Sequence, residues 1–331
     1  MPTSRRTPGA SAVLVWTAIL ILYLAWGSTY LGIRIAVGSI PPFVMAAVRF
    51  AIAGAILLTA VLVLRRGVVS RPSLREWRDS FIVGALLLGG GMGAVAWGEQ
   101  TIPSGITALL IAMMQIWVAV FGRIFVGQTL PRAGAIGIGA GVVGVAILVG
   151  PSLVIDRSLD PAGIAAIIFS PISWALGSLF SAHRARLPGD PFLATGMGML
   201  GGSAVLAVAA LVSGEIGALR VEAITTDSLI ALAYLTVVGS IVAFTAFAWV
   251  LRQAPLPMIA TYAFVNPIVA VFLGWLILGE EIGPRQVAAG AVIVVGVALI
   301  VASGARRSRL RETPGSPAMR PATSDDGVVA A

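Results

Sequence analysis

Two charges and two amides stand out against the apolar background of this chain: Arg49, Glu99, Gln115 and Asn266. Arg49 lies eight residues past Pro41, which in a helix is about 12 Å from that end. A charge at the centre of a membrane helix costs about 2.5–3.5 kcal/mol on insertion scales, so it requires a partner or a purpose. Arg34 closes the first apolar run and Glu99 closes the third, at broadly similar depth. Two readings follow. Glu99 pairs with Arg34 or Arg49 as a structural bridge between helices, or Arg49 receives a substrate carboxylate while Glu99 and Arg34 serve as a coupling group or ion pair.

Asn266 and Pro267 fall mid-run, as does Gln115. Proline withholds a backbone donor and frees a carbonyl one turn back, while asparagine offers two donors and an acceptor. That combination suits a kinked helix lining a cavity, and equally a hydrogen bond between helices. Pro171, flanked by Ser170 and Ser173, makes a similar break. Of the aromatic residues Trp26, Tyr30, Trp174, Trp249 and Tyr262, Trp174 and Tyr262 fall deeper than the interfacial belt that such residues favour. They either line a cavity or simply pack. The candidate substrate-binding set is therefore Tyr30, Arg49, Gln115, Trp174, Tyr262 and Asn266.

Other chemistries are excluded by what the chain lacks. It has no cysteine, so no disulfide, thiolate or cysteine-held metal, and its single histidine, His183, cannot form a histidine metal cluster. Gly89-Gly90-Gly91 is not followed by Gly-Lys-Ser/Thr, and the 22 basic residues are all arginine, so no phosphate loop exists for ATP. No cofactor and no metal are expected. An intramembrane serine protease would want a Ser–His pair within the helices, but His183 closes a run beside Arg184 and Arg186.

These residues must be positioned by membrane helices. Hydrophobic residues make up 58% of the chain and charged ones 11%, with mean hydropathy +0.99. Soluble domains carry charge on about a quarter of their residues, so the solvent for this surface is lipid. The formal charge of +8 is scattered between apolar runs rather than gathered on one domain, which argues against nucleic acid. About 20 apolar residues cross a bilayer. Ten stretches qualify, near 13–35, 41–64, 79–98, 104–126, 132–150, 161–182, 191–213, 228–251, 257–278 and 285–303. None alternates as barrel strands do, so the expected fold is all-α. The first run exceeds a secretory h-region and reads as a retained helix.

Arginine placement tests that count. With both termini in the cytoplasm, seventeen arginines fall inside and only Arg157, Arg220 and Arg285 outside, with Arg34 and Arg49 within spans. That is the bias of a multi-pass inner-membrane protein. A missed helix would invert every later loop.

The chain also repeats itself. A shift of 152 residues lays Ala96-Trp97 on Ala248-Trp249, Pro103 on Pro255, Ala108 on Ala260, Gly122 on Gly274 and Gly127 on Gly279. The same shift lays Val142-Val143-Gly144-Val145-Ala146 on Val294-Val295-Gly296-Val297-Ala298. Five spans per half, an odd number, invert the second half, which is the architecture of many secondary transporters. The expected units are a tail at 1–12, repeats at 13–150 and 161–303, and a disordered cytoplasmic tail at 304–331. Small-residue pairs Gly89/Gly93, Gly137/Gly141 and Gly198/Gly202 suit close helix approach.

Trp26-Gly27-Ser28-Thr29-Tyr30, Pro41-Pro42 with Arg49-Phe50, Ser173-Trp174-Ala175-Leu176-Gly177-Ser178, and Thr261-Tyr262-Ala263-Phe264-Val265-Asn266-Pro267 with Gly279-Glu280 resemble the EamA type of the drug/metabolite transporter superfamily. The resemblance spans about 13–303. It implies ten helices in two five-helix repeats that export amino acids, metabolites or drugs without ATP hydrolysis. The chain departs from the pattern at Gln115, where the family often has proline, and at Gln128, where it often has glutamate; Pro267 and Glu280 keep those features in the second half. The expected partners are a small-molecule substrate and the bilayer, with a homodimer left open. An importer or permease of the same fold, a channel or receptor, and an intramembrane enzyme are the alternatives.

Overall fold

The computed structural model of the chain describes residues 12–65, 69–127, 131–154, 159–250, 253–254, 256–259 and 261–312. Arg5, Arg6, Arg66, Gln128, Arg157, Arg252, Pro255, Ala260 and the stretch 313–331 lie outside the described residues.

Among the described residues every regular element is a helix. Eight helices are long and apolar enough to cross a membrane. They are α1 (Ala12–Ala36), α2 (Pro42–Leu64), α3 (Leu74–Gly98), α4 (Ser104–Val126), α6 (Pro161–His183), α7 (Pro191–Val212), α8 (Thr226–Val250) and α10, whose apolar part is Pro284–Ala302. Two others, α5 (Arg132–Val154) and α9 (Tyr262–Leu278), carry the shorter apolar stretches Arg132–Leu148 and Val265–Leu278. A separate turn at Leu256–Ile259 precedes α9. Large apolar side chains such as Trp16, Phe125, Ile136, Val208 and Trp275 face outward, as lipid-facing surfaces require.

Several boundaries depart from the sequence expectation for local reasons. The third helix begins at Leu74 rather than 79, because Ser73 and Glu76 close a capping box around a charged first turn. The last helix runs to Glu312, so 304–312 of the expected disordered tail continues it; the next proline is Pro314. The fourth helix is broken at Ala112–Met113, giving Ser104–Ile111 and Met114–Val126. Helices α4 and α9 both end on a left-handed glycine, Gly127 at φ 69° and Gly279 at φ 65°, the C-terminal conformation that glycine adopts without a Cβ penalty.

Helices α3 and α8 each contain a π-helical segment, Ala85–Met92 and Leu235–Val242. The first packs on α6 and α7, the second on α1 and α2. Helix α7 lies along α2 and α3, and α10 lies along α5. Glycine is required at the tightest of these crossings. A Cβ on Gly84 of α3 would overlap the carbonyl oxygen of Gly198 and stand 2.8 Å from the nitrogen of Gly202, both on α7.

Connections between helix ends sort into two groups. Glu215, in the turn after α7, accepts from the first N–H groups of α2, Phe43 (2.8 Å) and Val44 (3.1 Å). Thr101 donates to Asp160, and the amides and hydroxyl at the start of α4 donate to Glu280, from Ser104 N at 2.7 Å, Ser104 Oγ at 2.9 Å and Gly105 N at 3.0 Å. At the opposite ends, Arg65 bridges to Asp190, which caps α7 through Phe192 and Leu193. Asp79 accepts from the Arg186 backbone at 2.8 Å.

Candidate functional site

A cavity of about 90 Å³ lies among the helices, with walls from α1, α2, α3, α4, α6, α8 and α9. In liquid water a molecule occupies about 30 Å³, so the space suits a few waters or one small organic group. Larger hollows of about 190 and 380 Å³ lie along α4, α9 and α10 and contain none of the candidate residues.

Five of the six candidate binding residues line this cavity: Tyr30, Arg49, Trp174, Tyr262 and Asn266. Arg49 is 2% exposed. Its Nε donates to Ser240 Oγ at 2.9 Å, and its guanidinium lies 4.8 Å from the Phe50 ring centre. Nη2 sits where a side chain on Gly239 would have to go, 3.1 Å from that Cβ position. The wide π turn of α8 therefore receives the arginine of α2. Asn266 is 7% exposed, and its Oδ1 has no hydrogen-bond partner among the described residues. Trp26 forms one wall, its ring against Phe244 (5.4 Å), Phe247 (5.2 Å) and Tyr262 (5.1 Å).

Gln115 is not brought to the cavity; its neighbour Met114 lines it instead. The break at Ala112–Met113 sets the rotation of the second half of α4, and consecutive helical residues point about 100° apart.

The expected pairing of Glu99 with an arginine is also corrected. Among the described residues the carboxylate of Glu99 forms no ion pair with Arg34 or Arg49. Arg34 Nη1 donates instead to the main-chain oxygen of Glu99, because that carbonyl lies at the end of α3 and the residue four on, Pro103, has no N–H to give it. Glu99 and Arg34 thus meet, but not through the carboxylate. Glu99 is fully buried, with both carboxylate oxygens unpartnered.

Sequence reasoning missed Ser240, Thr29, Met92 and Phe244. Glycine-rich stretches offered the one available signal. Gly89-Gly90-Gly91 and Gly239-Ser240 fall in the π segments, where Ser173 and Arg49 enter from other helices. Ser173 Oγ donates to Leu86 O at 2.7 Å, satisfying a carbonyl within the widened turn.

Among the described residues the cavity of this all-helical protein is small and mostly apolar, with one cation and one unpartnered amide oxygen, the form of a small-molecule site. The EamA-like transporter family model matches residues 14–150 and 161–302, and the chain belongs to that family. It is 38% identical over 285 residues to the uncharacterized inner membrane transporter YedA of Escherichia coli (strain K12), covering 86% of this chain and 89% of the relative. It is 25% identical to the uncharacterized transporter YoaV of Bacillus subtilis (strain 168), covering 89% and 99%. The same identity relates it to the chloroplastic WAT1-related protein At3g02690 of Arabidopsis thaliana, over 88% and 70%. A crystal structure with 20% identity superposes with a TM-score of 0.60, covering 91% of this chain and 100% of that one. The protein is therefore a multi-pass inner-membrane transporter.

Proposed function

We propose that the protein is a secondary transporter that exports small solutes bearing an anionic group, and that the solute binds in the cavity at Arg49. The observation that carries this reading is the cavity itself. It is shared by helices of both halves of the chain and is lined by a buried arginine without an ion-pair partner among the described residues and by Asn266, whose Oδ1 is unpartnered. An arginine kept in an apolar wall is a ready receptor for carboxylate. Trp26, Trp174 and Tyr262 supply apolar contact around it.

Movement is by alternating access between two inverted five-helix units, 13–150 and 161–303, with ten crossings and both termini in the cytoplasm. Three features support that arrangement. The π segments stand 150 residues apart and pack on opposite halves: α3 on α6 and α7, α8 on α1 and α2. Arg65 after α2 reaches the cap of α7, while Glu215 after α7 reaches the start of α2, at opposite ends of the molecule. The helix-end contacts fall into the two groups that ten crossings require. Export, rather than uptake, follows the family resemblance.

The test is counterflow of radiolabelled L-alanine in liposomes, run alongside Asn266→Cys and Gln115→Cys in a chain that has no native cysteine. Alanine exchange should exceed that of empty liposomes. A small water-soluble thiol reagent should label position 266, with excess alanine protecting it and leaving any labelling at 115 unchanged. Absence of protein-dependent exchange across a panel of amino and hydroxy acids, with position 266 never labelled, would sink the proposal.

A further inference from the structure

Glu99 stands one residue beyond the span Leu74–Gly98, in the closing turn of α3. No part of it reaches solvent, and neither carboxylate oxygen has a hydrogen-bond partner among the described residues. An ionised carboxylate there has lost its hydration and gained no hydrogen bond in exchange. The carbonyl end of the helix adds further negative potential. Among the described residues the charged and titratable groups that act on it are Arg34 and Tyr30 from α1 and Glu280 from the turn after α9. Arg34 is engaged with the main-chain oxygen of Glu99. The Glu280 oxygens are engaged by Ser104 and Gly105 at the start of α4, so its negative charge opposes a second one nearby. Burial first, then Glu280, drives the Glu99 carboxyl well above the usual carboxylate range, and Arg34 only partly offsets them.

Tyr30 links this acid to the solute site. It lines the cavity beside Arg49 and lies within the electrostatic reach of Glu99. A change of charge at Glu99 is therefore felt at the cavity wall.

We propose that Glu99 is the proton-carrying group of the transporter. It holds a proton in the buried position seen here and exchanges it with water when its end of the molecule opens. In that step the carboxyl O–H bond breaks, the proton passes to a water molecule, and the carboxylate keeps the electron pair; the reverse step reloads it. Coupling presupposes that the central cavity moves solute, as proposed above, whereas protonation of Glu99 can be read with no solute present.

The experiment has two arms on the purified full chain in liposomes. Infrared absorption at neutral pH, in H2O and then D2O, compares wild type with Glu99→Gln and Glu99→Asp. Wild type should show the C=O band of a protonated carboxyl, shifted after exchange into D2O, and Glu99→Gln should lack it. Identical spectra for wild type and Glu99→Gln, or a band that never shifts, overturns the assignment. In the second arm a pH gradient drives radiolabelled L-alanine with the membrane potential held at zero. One proton per solute gives about tenfold accumulation per pH unit. Wild type should accumulate, Glu99→Gln should exchange but not accumulate, and Glu99→Asp should recover part of the accumulation. Equal accumulation by wild type and Glu99→Gln also overturns the proposal. A wild type that exchanges no alanine counts against the transport reading, and the infrared arm then decides Glu99 alone.

Discussion

Replacing Arg49 by methionine separates a residue kept for binding from one kept for folding. Methionine roughly preserves the length and flexibility of the side chain and deletes its charge. Two effects on stability oppose each other. An unpaired arginine in mid-membrane costs about 2.5–3.5 kcal/mol on insertion scales, and the substitution recovers that. It also deletes the charged hydrogen bond to Ser240 Oγ, observed at 2.9 Å, for which about 1.5–3 kcal/mol is typical. The two nearly cancel, so Arg49→Met should change the stability of the folded protein by no more than about 1–2 kcal/mol in either direction. No ion pair joins Arg49 to Glu99 among the described residues, so removing both should act additively. Alanine exchange in liposomes, normalised to folded protein, should fall at least tenfold. The assay pairs thermal unfolding in detergent with that flux measurement. A loss of stability beyond about 3 kcal/mol, the range seen when one partner of a buried ion pair is removed, together with normal exchange by the fraction that folds, would refute the reasoning.

Two further outcomes follow from the packing and the topology. Gly84→Ala places a methyl group 2.8 Å from the Gly202 nitrogen and against the Gly198 carbonyl, inside ordinary contact distance. It should lower stability by about 1–3 kcal/mol, read as a lower unfolding midpoint, whereas Gly139→Ala, which meets nothing within 4 Å, should not. Reporter fusions after Arg186 and after Glu222 should report the cytoplasm and the outer side respectively; both on one face would break the ten-crossing arrangement.

Much of the fold was legible because lipid imposes a simple rule. Long apolar runs must be helices, and each run read from the sequence falls on a helix, eight of them long and apolar enough to cross a membrane; most ends shift by a few residues, while the last helix runs on to Glu312. The miss at Leu74 came from Arg75, Glu76 and Arg78, whose polarity hides a first turn that the capping box makes explicit. Binding candidates were legible where polarity was the signal: Arg49 and Asn266 are conspicuous in an apolar run, and both line the cavity. Gln115 was equally conspicuous and falls elsewhere, because a broken helix resets rotation in a way that spacing alone does not reveal. Depth, likewise, is not contact. Glu99 and Arg34 were placed at similar height, yet the arginine meets the backbone and leaves the carboxylate alone.

The π segments explain why the polar groups of this site sit where they do. An α-helical turn closes each carbonyl with the amide four residues on and leaves no room for a foreign side chain. A π turn is wider and loosens that ladder, and such turns occur frequently at functional sites. In α3 the widened turn accepts Ser173 from α6, whose hydroxyl binds Leu86 O, and Gly90 leaves the space it occupies. In α8 the widened turn accepts Arg49 from α2, bound to Ser240, and Gly239 leaves the space beside its guanidinium. Each half of the chain thus inserts one polar side chain into the other half's third helix, and Arg49 borders the cavity directly. Each of these insertions is a single hydrogen bond at a glycine-lined turn, set beside the apolar cluster that Ile33, Phe50, Leu88, Leu206 and Leu235 build across the same helices. Filling either turn, at Gly90 or Gly239, would obstruct that insertion while leaving the apolar surfaces that meet lipid unchanged.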